Sequence, residues 1–229
     1  MVASSFQSAL NFVWAPGRDD PTDGYHVTPG DSGGGTFGGV IEATWTRAVE
    51  LGIVPPGELM NATVPQLSDV MHAMFWLPVC DVLPAGLDFM YFNGTMMTGH
   101  YPHIFQQCLG FFGSDDDGAV GHMTTGAAIA ADSRTLINAL HGTHIAYLRG
   151  LSSWGEFGGG WTSRLVACRK ASLAMVPAGP LPAPPTPAPV PPPEEITPAD
   201  FLNGISLLAA SLQHVADTLV PSLQHPQAS

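Results

Sequence analysis

The sequence predicts an all-α domain over residues 1–176, followed by a proline-rich spacer and one further helix. Apolar residues recur every three or four positions in several segments, which is typical of helices packed on a core. No convincing run of alternating apolar and polar residues indicates a strand. A chain of 229 residues can hold one ordinary domain and something small. The predicted helices of the domain are 5–14, 41–52, 64–76, 101–109, 122–131, 133–150 and 160–174.

Between the first two predicted helices lies the stretch TDGYHVTPGDSGGGTFGGV, residues 22–40. It is rich in glycine, which tolerates positive φ and lets a ligand approach the main chain. Residues 22–39 are therefore predicted to form a loop or a small irregular hairpin. Its role is either close contact with a ligand or that of an ordinary surface loop.

The residues that follow the domain divide into a linker and a helix. Residues 177–196 are rich in alanine and proline, a composition typical of an extended polyproline II spacer. Residues 197–229 begin with a helix start signal at Thr197 and Pro198 and then carry a coiled-coil-like apolar seam. We expect this amphipathic helix, residues 197–220, to self-associate or dock on a protein partner; folding back onto the domain is the alternative. The seam consists of Phe201, Ile205, Leu208, Leu212, Val215 and Leu219.

Charge and cysteine content exclude several classes of function. Seven Lys and Arg oppose 19 Asp and Glu, a net charge of −12, which disfavours binding to nucleic acid or anionic lipid. No apolar run is long enough to span a membrane. Cys80, Cys108 and Cys168 are widely spaced and form no CxxC pair, so zinc is not expected and at most one disulfide could form. The N-terminus lacks a signal peptide pattern, so we expect synthesis in the cytoplasm without such a signal.

The glycine-rich stretch resembles the signature of glycoside hydrolase family 108, the phage-type N-acetylmuramidases. That signature reads Glu-Gly-Gly-Tyr, then about six residues, then Asp-Pro-Gly-Gly-x-Thr-x-x-Gly-Ile. The matching positions here are Gly24, Tyr25, Pro29, Asp31, Gly33, Gly34, Thr36, Gly39 and Val40.

The resemblance extends from about residue 5 to residue 170. FWLPVCDVLPAGLDFMYFNGTMMTG is similar to the next family segment, with Asn93 where the family usually has Asp. The resemblance implies a lysozyme-like helical domain, with a muramidase half at 1–90 and a peptidoglycan-binding half at 91–176. The second half is carried by Gln107, Leu109, Gly110, Asp117, Gly118, Gly121, Thr124, Trp161 and Arg164.

The family's chemistry is hydrolysis of the β-1,4 bond in the glycan of peptidoglycan. Such hydrolysis needs a carboxylic acid that protonates the leaving oxygen and a second group that activates water. The resemblance assigns the second role to Asp31 and Thr36, but it places Thr22 where the family has its acidic Glu. The loop residues implied to contact the glycan strand are Tyr25, Gly33, Gly34, Gly35 and Gly39.

The residues near Thr22 offer replacement acids. Asp23 is adjacent to it and has a side chain one methylene shorter than Glu; burial would have to raise its pKa for it to act as an acid. Asp19 and Asp20 are further candidates, and a solvated turn is the structural alternative for all three. Glu42 is a weaker candidate, because an acid at a helix start is ordinarily structural.

Other groups of polar residues are weaker candidates. His141 and His144 share a helical face but have no third metal ligand, and Asp115–Asp117 lack the ligand pattern of a calcium loop. No phosphate loop or nucleophile elbow occurs, so no metal and no cofactor are expected.

Two functions are consistent with these observations. The first is a muramidase of phage or prophage type that reaches the bacterial cell wall by holin-type release or as part of a particle. The second is a catalytically lapsed relative that binds peptidoglycan or builds a phage tail, virion or gene-transfer particle.

Overall fold

The computed structural model describes residues 5–28, 34–77 and 79–177, all within one compact unit delimited at residues 1–184. The described part is mainly helical and includes one small antiparallel sheet. None of its helices is both long enough and apolar enough to cross a membrane. The helices are α1 (Phe6–Val13), α2 (Glu42–Glu50), α3 (Val64–Met71), α4 (Leu87–Met97), α5 (Tyr101–Cys108), α6 (His122–Ala130), α7 (Ser133–Arg149) and α8 (Trp154–Met175).

All seven predicted helices are present, and the prediction of a mostly helical domain is confirmed. The predicted helix 64–76 is α3 followed by a π-helical turn, His72–Trp76. Short 3₁₀ turns lie at Pro21–Asp23, Leu59–Asn61, Cys80–Val82 and Gly113–Asp115. The predicted helix at 197–220 and nearly all of the spacer lie outside the described residues.

Helix α4 lies at the centre of the domain and contacts α1, α5, α7 and α8. Its residues from Leu87 to Gly94 are all buried, on every side of the helix. Asp88 is among them; its carboxylate accepts hydrogen bonds from the amides of Gly86 and Phe89 at 2.8 and 2.6 Å and from the hydroxyl of Ser5. Burial raises the pKa of Asp88.

Sequence periodicity did not predict α4, and its burial explains the omission. A helix that is covered on all sides has no polar face, so its sequence lacks the amphipathic stripe by which the other helices are recognised. Aromatic rings from α1, α4 and the π-helical turn pack edge to face against one another. Phe6 contacts both Trp76 and Phe92, at centroid distances of 5.4 and 5.9 Å.

The small sheet is a three-stranded antiparallel meander, β1 (His26–Val27), β2 (Gly35–Phe37) and β3 (Val40–Ile41). Thr36 pairs with both His26 and Ile41. This sheet departs from the all-α expectation, because strands of two or three residues are too short to show alternation in the sequence. Helix α2 follows β3 directly.

Helix α8 begins at Trp154, six residues before its predicted start. The additional turns include glycines at 155, 158 and 159, a residue type that is unfavourable in helices. One of them is required by packing, since a Cβ on Gly158 would lie 2.6 Å from the ring of Trp154.

All three cysteines are free. Cys80 and Cys168 are buried, and burial raises the pKa of both thiols, that of Cys168 to about 12. They act as small apolar groups of the core.

The contact between α4 and α5 predicts a specific packing defect. A Cβ on Gly94 would lie 2.2 Å from the ring of Tyr101, which is fully buried. We expect Gly94→Ala to lower the free energy of unfolding by about 3 kcal/mol, because a dense core resists added volume. Urea denaturation measures the change.

Gly142→Ala is the matched control for this prediction. Gly142 lies within α7, and a Cβ there would meet no atom within 4 Å. The same substitution should therefore raise stability by up to about 1 kcal/mol through helix propensity. Equal effects at the two positions would contradict the packing assigned to Gly94.

Candidate active site

The β1–β2–β3 hairpins present Tyr25 and Thr36 beside the start of α2. The Tyr25 ring lies over Gly35, where a Cβ would come within 1.9 Å of the phenolic oxygen. Its hydroxyl donates to Glu42 Oε1 at 2.9 Å, and this hydrogen bond raises the pKa of Tyr25. Gly35 thus allows the tyrosine to lie against β2, and Glu42 fixes its outer end.

A two-glycine turn joins β2 to β3. Gly38 and Gly39 have φ values of 55° and 80°, as both central residues of a type I′ turn require. Trp14 anchors this turn by donating its indole N–H to the Gly38 carbonyl at 3.0 Å. Gly39 also lies so close to Asp19 that a Cβ would approach the Asp19 side chain to 3.1 Å. Gly39 was predicted to contact substrate. Its positive φ also makes it one of the two central residues of the turn between β2 and β3.

The segment between α1 and β1 is fixed by side-chain contacts. Arg18 lies over the Phe12 ring, 3.7 Å from its centroid, and donates to the Phe12 carbonyl at 2.6 Å. Asp20 caps the 3₁₀ turn by accepting hydrogen bonds from the amide and hydroxyl of Thr22, both at 2.8 Å. These bonds, the one to the amide first, lower the pKa of Asp20.

An ion pair links this segment to helix α8. Arg164 of α8 donates from Nη1 to Asp19 Oδ2 at 2.7 Å and from Nε to Asn93 Oδ1 of α4 at 2.9 Å. The Arg164 side chain is 15% exposed and that of Asp19 26%. The sequence does not indicate this pairing, since Asp19 and Arg164 are 145 residues apart.

The acids near Thr22 therefore differ in their surroundings. Asp19 is paired with Arg164, Asp20 with Thr22, and Glu42 with Tyr25. The solvated-turn alternative does not describe Asp19, which is partly buried in an ion pair. Asp23 is exposed, and its carboxylate has no hydrogen bond to any other described residue; its backbone amide donates to the Asp20 carbonyl at 3.1 Å.

The remaining predicted site residues lie on or near the same hairpins. Thr36 is half-buried on β2, and its hydroxyl has no hydrogen-bond partner within the described ranges. Gly34 is exposed with φ of 74°, a conformation that favours glycine. Asp31 and Gly33 lie outside the described residues.

The weaker metal candidates have structural surroundings. No group of three or more His, Cys, Asp or Glu that could hold a metal occurs within residues 5–28, 34–77 and 79–177. Asp116 pairs with His103 Nδ1 at 2.8 Å and accepts from Gln107 at 2.7 Å. Asp117 accepts from Gln106 at 2.7 Å and from the Ala119 amide at 2.8 Å.

A cavity of about 340 Å³ lies between the end of α5 and the start of α6. The residues that line this cavity lie between positions 106 and 124, within the predicted peptidoglycan-binding half, and none of them belongs to the hairpins. Its lining includes Phe111, Asp115, Asp117, His122 and Thr124.

His144 is fully buried, and neither ring nitrogen has a partner among the described residues. Its ring lies 5.0 Å from that of Tyr101. Burial, and to a lesser extent the charge of Arg164, lowers the pKa of His144 to about 4. It is therefore neutral in the folded protein at neutral pH.

Comparisons with known proteins identify a family and related solved structures. A family model described as Glycosyl hydrolase 108 matches residues 23–99. No curated protein matches the chain. The structure is similar to that of Brucella abortus SagA, with 30% sequence identity and a TM-score of 0.62, over 75% of this chain and 95% of that chain.

The ion pair predicts coupled stability effects. Asp19→Asn should lower the free energy of unfolding by about 2 kcal/mol, because it leaves the Arg164 guanidinium without its counter-ion. Asp23→Asn is the control, since the Asp23 carboxylate is exposed and has no hydrogen-bond partner within the described part. A double-mutant cycle with Arg164→Met measures the coupling; additive effects of the two substitutions would contradict the pairing.

His144 predicts a pH dependence of stability. Its folded pKa of about 4 lies below the ordinary value of 6.5, so the unfolded chain binds the proton more readily. Preferential protonation of His144 in the unfolded chain should therefore lower the free energy of unfolding progressively as the pH falls from about 6.5 to about 4. Below that pH this effect should not increase further. Unfolding of the wild type and His144→Leu across this range isolates the contribution as their difference. His26→Gln, an exposed control, should leave the pH dependence unchanged.

Proposed function

Because the chain belongs to glycosyl hydrolase family 108, we propose that it is a muramidase that hydrolyses the β-1,4 glycan bonds of peptidoglycan. Family membership supports a peptidoglycan muramidase-type function. The observation that carries the proposal is the family match over residues 23–99, which include the hairpins with Tyr25 and Thr36.

We assign the water-activating role to Asp31 and Thr36. A carboxylate can accept a proton from water as it attacks the sugar, and a hydroxyl can orient that water. The Thr36 hydroxyl is suited to this role because no described residue uses it. Tyr25, held by Glu42, together with Gly33, Gly34, Gly35 and Gly39, would form the glycan-contacting surface beside it.

The proton donor is assigned to Asp23. Thr22 cannot serve, because a hydroxyl group does not release its proton at neutral pH. Of the acids around Thr22, Asp23 is the one whose carboxylate is free of hydrogen bonds to other described residues.

One observation favours a second candidate function. Asp19, Asp20 and Glu42 are engaged by other groups, and Asp23 is exposed in the unbound protein. This arrangement is also that expected of a catalytically lapsed relative, which would bind peptidoglycan or form part of a phage tail, virion or gene-transfer particle.

The setting that we propose is that of a phage or prophage protein. Such a protein is made in the cytoplasm and meets the cell wall after holin-type release or as part of a particle. The association role of residues 197–220 remains a prediction, and the glycan strand is the partner that the proposed activity requires.

Loss of turbidity of purified cell walls tests the catalytic assignments. We expect lysis by the wild type and a fall of at least about 100-fold for both Asp31→Asn and Asp23→Asn, because each removes a proton-transfer group. Lysis unaffected by Asp31→Asn would overturn the site. Absence of lysis by the wild type, with walls still bound in a pull-down, would favour the lapsed relative.

Thr22→Glu is a further variant for the same experiment and tests the position of the acid. It places a carboxyl at the family's acid position, between Asp20 and Asp23, whose charges would raise its pKa. We expect this variant to lyse walls faster than the wild type. Thr28→Glu adds the same charge on the other side of β1 and is the matched control. A gain in both variants would point to a charge effect and not to a restored acid.

A further inference from the structure

Three aromatic residues extend the buried stripe of α8 beyond the core. Trp154, Phe157 and Trp161 precede Leu165, Cys168 and Ser172 at spacings of three or four residues, so all six lie along one side of the helix. The last three are buried. The aromatic three are only half-buried, and none of them is packed against the hydrophobic core formed by the described residues.

These rings contact one another. The rings of Trp154 and Trp161 lie 6.2 Å apart and those of Phe157 and Trp161 5.7 Å apart, at tilted angles. Arg149 lies over Trp154, 5.8 Å from its ring centroid. We call Trp154, Phe157 and Trp161 the aromatic surface. It runs for about 10 Å along α8, at 1.5 Å per residue.

The indole N–H groups distinguish this surface from the core tryptophans. Trp14 and Trp45 donate to backbone carbonyls at 3.0 and 2.7 Å, and Trp76 donates to Asp81. Trp154 and Trp161 donate to no group in the described part of the chain. The aromatic surface therefore combines apolar ring faces with two free polar donors.

Helix α8 carries both the aromatic surface and the residue that contacts the segment before the hairpins. Arg164 lies one turn after Trp161, and its guanidinium contacts Asp19, which packs against Gly39.

We propose that Trp154, Phe157 and Trp161 bind a further stretch of the glycan strand, outside the residues assigned to bond cleavage. This inference rests on the proposed function, which supplies the polysaccharide. Pyranose rings present apolar C–H faces that stack on aromatic rings, and their hydroxyl and acetamide oxygens accept hydrogen bonds from indole N–H groups. A saccharide is also uncharged at most of its surface, so the net charge of −12 does not oppose it.

Calorimetric titration of the full chain with the β-1,4-linked N-acetylglucosamine tetramer tests this surface. We expect Trp161→Ala to raise the Kd about tenfold, and Trp161→Phe, which keeps a ring, to recover most of the affinity. Phe112→Ala is the matched control, because Phe112 is 67% exposed and belongs to the segment between α5 and α6, not to α8. It should leave the Kd unchanged. With purified cell walls, Trp161→Ala should raise KM and leave kcat near the wild-type value.

The outcomes separate this inference from the proposed function. Cell-wall lysis by the wild type with Trp161→Ala unchanged in both Kd and KM would overturn the aromatic surface and leave the muramidase assignment standing. Tetramer binding that depends on Trp161, without lysis, would support the surface and contradict the hydrolytic function. Absence of tetramer binding by the wild type, or binding of a synthetic peptide of residues 177–196 in its place, would overturn the inference.

Discussion

The burial of α4 from Leu87 to Gly94 is the constraint on which the rest of the domain depends. Helices α1, α5, α7 and α8 all contact it, and its side chains are covered on every side. This burial also determines where polar groups can occur. Asn93 on α4 is buried and accepts a hydrogen bond from Arg164, so the central helix fixes the guanidinium that binds Asp19. Arg164 thus couples the central helix to the segment that leads into the hairpins.

Positive charge is scarce in this chain, which gives the Arg164 contact its importance. Only seven Lys and Arg are available against 19 acids. Arg18 and Arg164 both lie in or contact the segment that leads into the hairpins. Partly buried ion pairs have more effect than exposed ones because water screens them less. Two of the few cations are thus used to position this segment.

The site combines a rigid frame with free polar groups. Gly35, Gly38 and Gly39 allow close approaches and a tight turn, while Tyr25 and Trp14 hold the hairpins through side-chain hydrogen bonds. The side chains of Thr36 and Asp23 have no hydrogen bonds to other groups in the described residues. Preorganised surroundings with unoccupied functional groups are what substrate binding and catalysis require. The aromatic surface of α8 has the same character, since its indole N–H groups have no acceptor among the described residues.

The helices with one apolar face, the glycine-rich loop and the family resemblance could all be derived from the sequence, because periodicity and motif spacing are local properties of the chain. Helix α4 could not, since burial on all sides removes its periodicity. The start of α8 could not be derived from the sequence either, because it lies in a glycine-rich stretch. The Trp154 ring packs against Gly158 in this part of the helix. Only the tertiary structure decided which acid near Thr22 is paired and which is free. The partner of Asp19 is 145 residues away, and such contacts depend on how the core brings distant segments together.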